Sequence, residues 1–241
     1  MTLQNIMGHV RRACDDYKMI VPGCKILVGV SGGKDSLTLL AALAAMRRFY
    51  EPSYSLAAAT VDLGFKEFDA SGVAAYCKNL NVPFELIKTD IADVVFNVRK
   101  EKNPCALCSK MRKGALNDHA KKIFAGRVAY GHNRDDVLQT FFLSLFYEGR
   151  IHTCAPVTYL SRTDLHVVRP LMYVPEADII NFSRRERLPV IKSPCPADGG
   201  TKREEIKLQM KEFRKKYNYF DEKAFGAIKR TLFVKNNDRE E

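Results

Sequence analysis

No stretch of this chain approaches the roughly 20 consecutive apolar residues that a bilayer-spanning helix needs. No membrane association is therefore expected. Residues 1–17 lack both an apolar h-region and a small-residue cleavage site, which argues against a secretory signal. Internal repeats and low-complexity linkers are absent as well. The seven cysteines are odd in number and mostly fall inside regular-looking segments. Without a signal they point to a reduced, cytoplasmic setting and not to a disulfide framework. Two common phosphate-binding patterns are also missing. The Walker loop needs a glycine at position 28, where Val28 stands, and a Ser/Thr where Asp35 stands. The dinucleotide fingerprint fails because Ser31 occupies its second glycine position.

What is present is a different glycine loop. Residues 26–30 are an apolar run that reads as a buried strand. Val30-Ser31-Gly32-Gly33-Lys34-Asp35-Ser36 follows, and residues 37–50 are nearly continuous helix-forming apolar sequence. Strand, glycine turn and helix together make an anion cradle. Glycine lets the backbone close on a phosphate, and a helix start offers free N–H groups and a positive dipole end. Lys34 adds a full charge, and Ser31 and Ser36 add hydroxyls. A ligand-free glycine turn is the plain alternative.

The chain has 241 residues, enough for one large domain, or one with a small appendage. A hydrophobic fraction of 46% suits a sizeable core. The net charge of +11 suits a polyanionic partner, although helix-face solvation accounts for part of it. Position sharpens the reading. Residues 99–122 hold eight basic residues (Arg99, Lys100, Lys102, Lys110, Arg112, Lys113, Lys121, Lys122) against Glu101 and Asp118. Residues 202–216 hold seven basic residues against three acids.

Four regions are expected: a leading helix in 1–22 with apolar Leu3, Ile6, Met7 and Val10 on one face, an α/β unit in 23–170, a helical region in 171–234 and a polar tail in 235–241. Within the α/β unit, strands are predicted at 54–61, 83–88, 127–130 and 165–168, with helices at 70–80 and from about 136 to 147. Strands alternating with helices imply a doubly wound, mostly parallel sheet. Ligands on such sheets bind at the carboxyl ends of the strands. The glycine loop, Asp62 and Gly131-His132-Asn133-Arg134-Asp135-Asp136 all fall there. Helices are predicted at 176–187, 202–217 and 221–233, around a Pro/Gly-rich loop at 190–201. The apolar stripe Ile206, Met210, Phe213 and Tyr217 reads as core packing.

Asp135 and Asp136 at a helix start can hold Mg²⁺, which bridges phosphate oxygens; Asp135 alone reads equally as an N-cap. His132 is a ligand contact or a hydrogen-bonding scaffold. Asp62 touches a nucleotide or caps the next turn. Pro104-Cys105-Ala106-Leu107-Cys108 contains a C-x-x-C, which serves redox, zinc or iron–sulfur chemistry. There is no second C-x-x-C. Cys195, in Ser193-Pro194-Cys195-Pro196, is the remaining candidate partner. Cys14, Cys24, Cys77 and Cys154 carry no motif and read as small core or incidental residues.

The glycine loop resembles the pyrophosphate loop of the PP-loop ATP pyrophosphatases. Together with Pro-Cys-Ala-Leu-Cys-Ser-Lys-Met-Arg-Lys-Gly-Ala-Leu, Gly-His-Asn-Arg-Asp-Asp-Val-Leu-Gln-Thr-Phe-Phe and Arg169-Pro170-Leu171, it resembles the tRNA 2-thiocytidine biosynthesis family over residues 23–213. The resemblance implies an adenine nucleotide α-hydrolase-like PP-loop fold. It implies that ATP adenylates the C2 oxygen of a cytidine in a tRNA anticodon loop and that sulfur then displaces AMP. Lys34, Asp35 and Asp136 become the catalytic residues, with Val30–Ser36, Asp62, Gly131, His132 and Asp135 on the nucleotide and Mg²⁺. Cys105, Cys108 and Cys195 become ligands of a [4Fe–4S] cluster. A sulfur donor such as a cysteine desulfurase is implied, and a homodimer is compatible with the sequence. Two rival readings are a tRNA lysidine synthetase-like ligase and a non-enzymatic, zinc-stapled RNA-binding protein.

Overall fold

The structure is a computed structural model that describes residues 2–100, 103–192, 194–195 and 202–233. The expected tail and most of the Pro/Gly-rich loop lie outside the described residues. Strand β1 (Cys24–Gly29) is the centre of the sheet. Its side chains alternate between two cores, Ile26 and Val28 on one face and Leu27 on the other, as the two-residue period of a strand requires. A strand buried on both faces needs helices on both sides, which a parallel sheet supplies through its crossovers.

β1 pairs in parallel with β2 (Tyr54–Asp62) on one side and β4 (Arg127–Ala129) on the other. β3 (Phe84–Lys88) extends the sheet from β2, and β6 (Leu165–Val168) extends it from β4, both in parallel. β5 (Val157–Leu160) closes the far edge antiparallel to β6. The order is β3-β2-β1-β4-β6-β5. The chain leaves β1 in one direction and returns on the other side for β4. This reversal is a topological switch point, and it opens a crevice at the carboxyl ends of β1 and β4.

The helices are α1 (Leu3–Asp16), α2 (Lys34–Met46), α3 (Ser71–Asn79), a single turn α4 (Ile91–Asp93), α5 (Pro104–Lys122), α6 (Arg134–Glu148), α7 (Glu176–Arg185), α8 (Lys202–Lys216) and α9 (Phe220–Ile228). α5 covers one face, packing Leu116 and Ala120 against Leu27, Ala59 and Val128. The other face carries the larger core, to which α1, α2, α3, α6 and the C-terminal helices all contribute. Thr2 caps α1 by accepting the Asn5 N–H, and Ile6, Val10, Ala13 and Cys14 form its buried face. Its last turn is tied across the molecule. The Tyr173 hydroxyl donates to Asp16 at 2.6 Å, and Lys229 Nζ reaches the same carboxylate at 2.7 Å. Ile206 and Met210 of α8 are buried, and Phe213 joins Phe142 and Phe220 in a ring cluster. Among the described residues no helix is long and apolar enough to cross a membrane.

Three details depart from the sequence reading. Residues 165–168 are the sixth strand, not the fifth, because Val157–Leu160 forms a hairpin with them. That hairpin turns through Asp164 at φ 53°, with the Thr163 N–H on the Leu160 carbonyl at 3.0 Å. A four-residue, half-buried edge strand carries too short an alternation to be read. α2 begins at Lys34 and stops at Met46, so Arg47, Arg48, Phe49 and Tyr50 lie beyond its end. The last predicted helix ends at Ile228 and continues as a π-turn, Lys229–Phe233.

Ile6 is fully buried against this core, whereas Leu208 is 66% exposed on α8. Ile6→Ala is expected to cost about 2–5 kcal/mol in urea unfolding, and Leu208→Ala no more than about 0.5 kcal/mol. Equal losses would contradict the placement of α1 in the main core.

Candidate active site

The glycine loop leaves β1 at the switch point. Val30 is still held by the sheet, its N–H on the Ala59 carbonyl at 2.8 Å and its carbonyl accepting the Thr60 hydroxyl at 2.6 Å. Gly32 then takes φ +80°, and a Cβ there would meet Ile191 at 2.9 Å. Glycine alone satisfies both the backbone angle and the contact. Gly33 caps α2 without a side-chain hydrogen bond, so nothing from a cap occupies the first-turn N–H groups. Ser36 is spent on the loop itself. Its hydroxyl donates to the Gly33 carbonyl at 2.9 Å and accepts the Ser31 N–H at 3.1 Å.

The loop after β4 comes in from the other side of the crevice. Gly131 lies so close that a Cβ would stand 3.0 Å from the backbone of Asp35 and Ser36. Asn133 starts α6 in a reciprocal capping box with Asp136, and its amide donates to Asp35 at 2.9 Å. Asn133, and neither aspartate, is therefore the N-cap. The carboxylates here are all engaged. Asp135 accepts the Glu176 N–H at 2.7 Å and pairs with Arg214. Asp136 pairs with Arg203 at 3.1 Å. Lys34 Nζ donates to Asp35 and to Glu176, both at 2.8 Å. Burial alone would pull the Lys34 amine down, but Asp35 and then Glu176 outweigh it and hold the amine above its ordinary value. Burial pushes Asp136 up, the Asn133 N–H and Arg203 oppose this, and the charges of Asp35 and Glu176 add to it.

A cavity of about 510 Å³ opens on this loop, within the usual range for ligand pockets. Of the residues singled out in the sequence, Val30, Ser31, Gly33, Asp35, Ser36, Gly131, His132 and Cys195 line it. Gly32, Lys34, Asp62, Asp135, Asp136, Cys105 and Cys108 do not line it. Asp62 instead accepts the Gly64 N–H at 2.9 Å and braces the turn after β2. The remaining walls are Phe65 and Phe68 on one side and Ser109, Arg112 and Lys113 of α5 on another.

A family model described as a PP-loop domain matches residues 6–212. The tRNA-cytidine(32) 2-sulfurtransferase of Xanthomonas axonopodis pv. citri is 36% identical over 226 residues, 93% of this chain and 72% of that protein. The chain belongs to the PP-loop family and, within it, to the tRNA 2-thiocytidine family. The protein of the same name from Geobacter sulfurreducens is 34% identical, covering 95% of this chain and 87% of that one. Solved structures agree on the fold. The U34-tRNA thiolase NcsA of Methanococcus maripaludis, solved with its [4Fe-4S] cluster, superposes with a TM-score of 0.76 at 21% identity, over 95% of this chain and 80% of that one. An NH3-dependent NAD synthetase from Campylobacter jejuni superposes at 0.52 and 17% identity, over 98% and 95% of the two chains.

The cysteines flank the PP-loop cavity. Cys105 sits in the first turn of α5, whose N1 residue is Pro104, and Cys108 begins the second. Cys195 is brought over the loop by its own segment, since the Ile191 N–H donates to the Gly32 carbonyl at 2.9 Å. Burial pushes the Cys108 thiol up, Arg112 pulls it down, and charge on Cys195 and Cys105 pushes it up again. Ser109, next to Cys108 in α5, lines the same cavity as Cys195. Among the described residues no three His, Cys, Asp or Glu side chains are gathered tightly enough for a single metal ion. Iron–sulfur clusters are held by cysteine thiolates, the donor type that Cys105, Cys108 and Cys195 offer. Mg²⁺ needs no protein cage either, since it takes one or two carboxylates and completes its shell with phosphates and water.

Glu176, Ile191, Arg203 and Arg214 are the site residues that sequence reading passes over. Glu176 reads as an ordinary acid in the first turn of a helix, and the others carry no motif.

His132 closes the back of the cavity with Tyr130. Its Nδ1 and the Tyr130 hydroxyl are buried without a protein partner among the described residues. Burial, reinforced by Arg169, Lys113 and Arg203, pulls His132 from 6.5 down to about 4. The unfolded chain takes up this proton near 6.5 and the folded one only near 4. The contribution is therefore intact above pH 6.5 and is lost as pH falls towards 4, by up to about 3 kcal/mol. Urea midpoints measured at about pH 7.5 and about pH 5 are expected to fall further for the native chain than for His132→Gln. Equal falls would mean that His132 does not titrate as a buried neutral group.

Proposed function

We propose that this protein is an ATP-dependent tRNA thiolase that converts a cytidine in the anticodon loop to 2-thiocytidine. The observation that carries this reading is that the PP-loop and Cys195 line one cavity together with Ser109, the residue next to Cys108. A nucleotide loop explains activation of the base, and a thiol set beside it explains the replacement atom. The names of the relatives at 34–36% identity supply the substrate class.

The chemistry follows from the groups present. A pyrimidine carbonyl oxygen is a poor leaving group, and its transfer to the α-phosphate of ATP converts it to AMP. The N–H groups at the start of α2 receive the phosphates, and Lys34 offsets the charge that builds on the α-phosphate and the pyrophosphate. Asp35 and Asp136 would hold Mg²⁺, which would supply positive charge against the phosphates. His132, neutral at physiological pH, orients by hydrogen bonding and does not supply a proton. Cys105, Cys108 and Cys195 would hold a [4Fe–4S] cluster, which supplies an open iron for a sulfide nucleophile. The sulfur would come from a donor such as a cysteine desulfurase, which carries it as a persulfide, with a thiol reductant supplying the two electrons that release it as sulfide. Arg112 and Lys113 face the cavity from α5, and the basic residues that follow them on the helix bind tRNA phosphates with an affinity that falls with salt. The target base leaves its stack to enter the site.

Anaerobically purified protein is expected to carry about four irons and four acid-labile sulfides per chain and to thiolate tRNA with ATP. Cys105→Ser should lose thiolation and keep ATP binding. Lys34→Ala should keep its fold and lose pyrophosphate release. Full turnover by Lys34→Ala, or thiolation by Cys105→Ser, would overturn the mechanism. A folded, ATP-binding protein that holds zinc or no metal would favour a ligase or an RNA binder.

A further inference from the structure

Lys34 is the only residue of the stretch from Gly33 to Ser36 that does not line the cavity. Its ammonium is held aside instead, between Asp35 and Glu176 at 2.8 Å each, with both members of the Lys34–Glu176 pair about a quarter exposed. Glu176 comes from α7, far along the chain, and its backbone is fixed. Its own N–H donates to Asp135 at 2.7 Å, Asp135 is anchored by Arg214 of α8, and the Arg134 N–H holds the Val174 carbonyl at 3.0 Å. α7 gains no side-chain cap from its N-cap residue, Pro175. The Glu176 carboxylate is thus placed by rigid neighbours on the amine of a different helix.

We propose that Glu176 is a positioning residue for Lys34: it holds the ammonium at the mouth of the PP-loop and yields it to the phosphates of ATP. The inference rests on Lys34 meeting nucleotide phosphate, as proposed above. A carboxylate on the amine has two opposed effects. It competes with phosphate in the ground state, which weakens ATP binding. It also limits where the amine can go, so that Lys34 reaches the reacting phosphate in one geometry, and small losses of geometry are costly to rate. Removing the charge of Glu176 should therefore tighten ATP binding and slow the chemical step. A residue that merely docks α7 would weaken binding and rate together.

The test uses the full chain loaded with Mg²⁺. ATP affinity is measured by calorimetry, and pyrophosphate release is followed in single turnovers with tRNA. Glu176→Gln keeps the shape and an acceptor oxygen but removes the charge. It is expected to bind ATP at least threefold more tightly and to release pyrophosphate at least tenfold more slowly. In a Lys34→Ala background the same substitution should leave ATP affinity unchanged within twofold, because Glu176 acts through Lys34. Should Glu176→Gln fail to fold, Glu176→Asp asks the same question, since the shorter side chain keeps its charge but no longer bridges to Lys34. Affinity and rate that fall together, or neither changing, would overturn the proposal, as would an affinity change that persists in the Lys34→Ala background. A native chain that binds ATP without acting on tRNA would remove the functional reading and leave the affinity comparison to decide this one. A native chain that binds no ATP would overturn both.

Discussion

Val28 stands in register with Ala58 on one side and with Ala129 on the other. Backbone hydrogen bonds set the spacing of these three parallel strands at about 4.8 Å, so the loops that leave β1 and β4 emerge side by side. The consequence is the approach of Gly131 to the backbone of Asp35 and Ser36, too close for any side chain at 131 to fit unstrained. The nucleotide loop and the α6 N-terminus are therefore one object, brought together by strand order and tied by the hydrogen bond from the Asn133 amide to Asp35 at 2.9 Å. A slip of one residue in β4, which is buried on both faces, would exchange its side chains between the two cores and separate the two loops.

That object concentrates negative charge. Asp35, Asp135, Asp136 and Glu176 come together at the starts of α2, α6 and α7, where helix dipoles favour anions. Dipoles alone do not offset the desolvation of buried carboxylates, and an unpartnered one would cost several kcal/mol. Lys34, Arg203 and Arg214 are the compensating cations. Two of the three come from α8, so this C-terminal helix is not an appendage with its own purpose. It supplies charge without which the acidic rim would repel itself, and it buries Ile206 and Met210 in the main core to stay there.

The sequence makes the rim legible because its motifs are local. A glycine loop between an apolar strand and an apolar helix can be read from a dozen residues, and the parallel sheet follows from the spacing of the strands. The hairpin strand Val157–Leu160 escapes because four half-buried residues hold too little periodicity. Asp135 and Asp136 are legible as a pair but not in their roles, because the partner that distinguishes them is on another element in each case: Glu176 and Arg214 for the first, Arg203 for the second. Glu176 itself looks like any acid in the first turn of a helix. Pairings of this kind depend on tertiary placement, about which a single sequence is silent.

Ile191 illustrates the same limit on the sulfur side. In the sequence it is an aliphatic residue in a loop, with nothing to link it to Gly32. In the structure its N–H holds the Gly32 carbonyl and its side chain fills the space above a glycine that has no side chain to fill it. Cys195 lies four residues further along the same segment. Ile191 and Cys195 both line the cavity onto which the nucleotide loop opens. Under the proposed chemistry, a cavity in which one wall would receive phosphate and another would present a cysteine has to keep the two in fixed relation, because displacement of a leaving group tolerates little error in the approach of its nucleophile. Docking the cysteine segment directly on the PP-loop meets that requirement with one backbone hydrogen bond and one apolar contact.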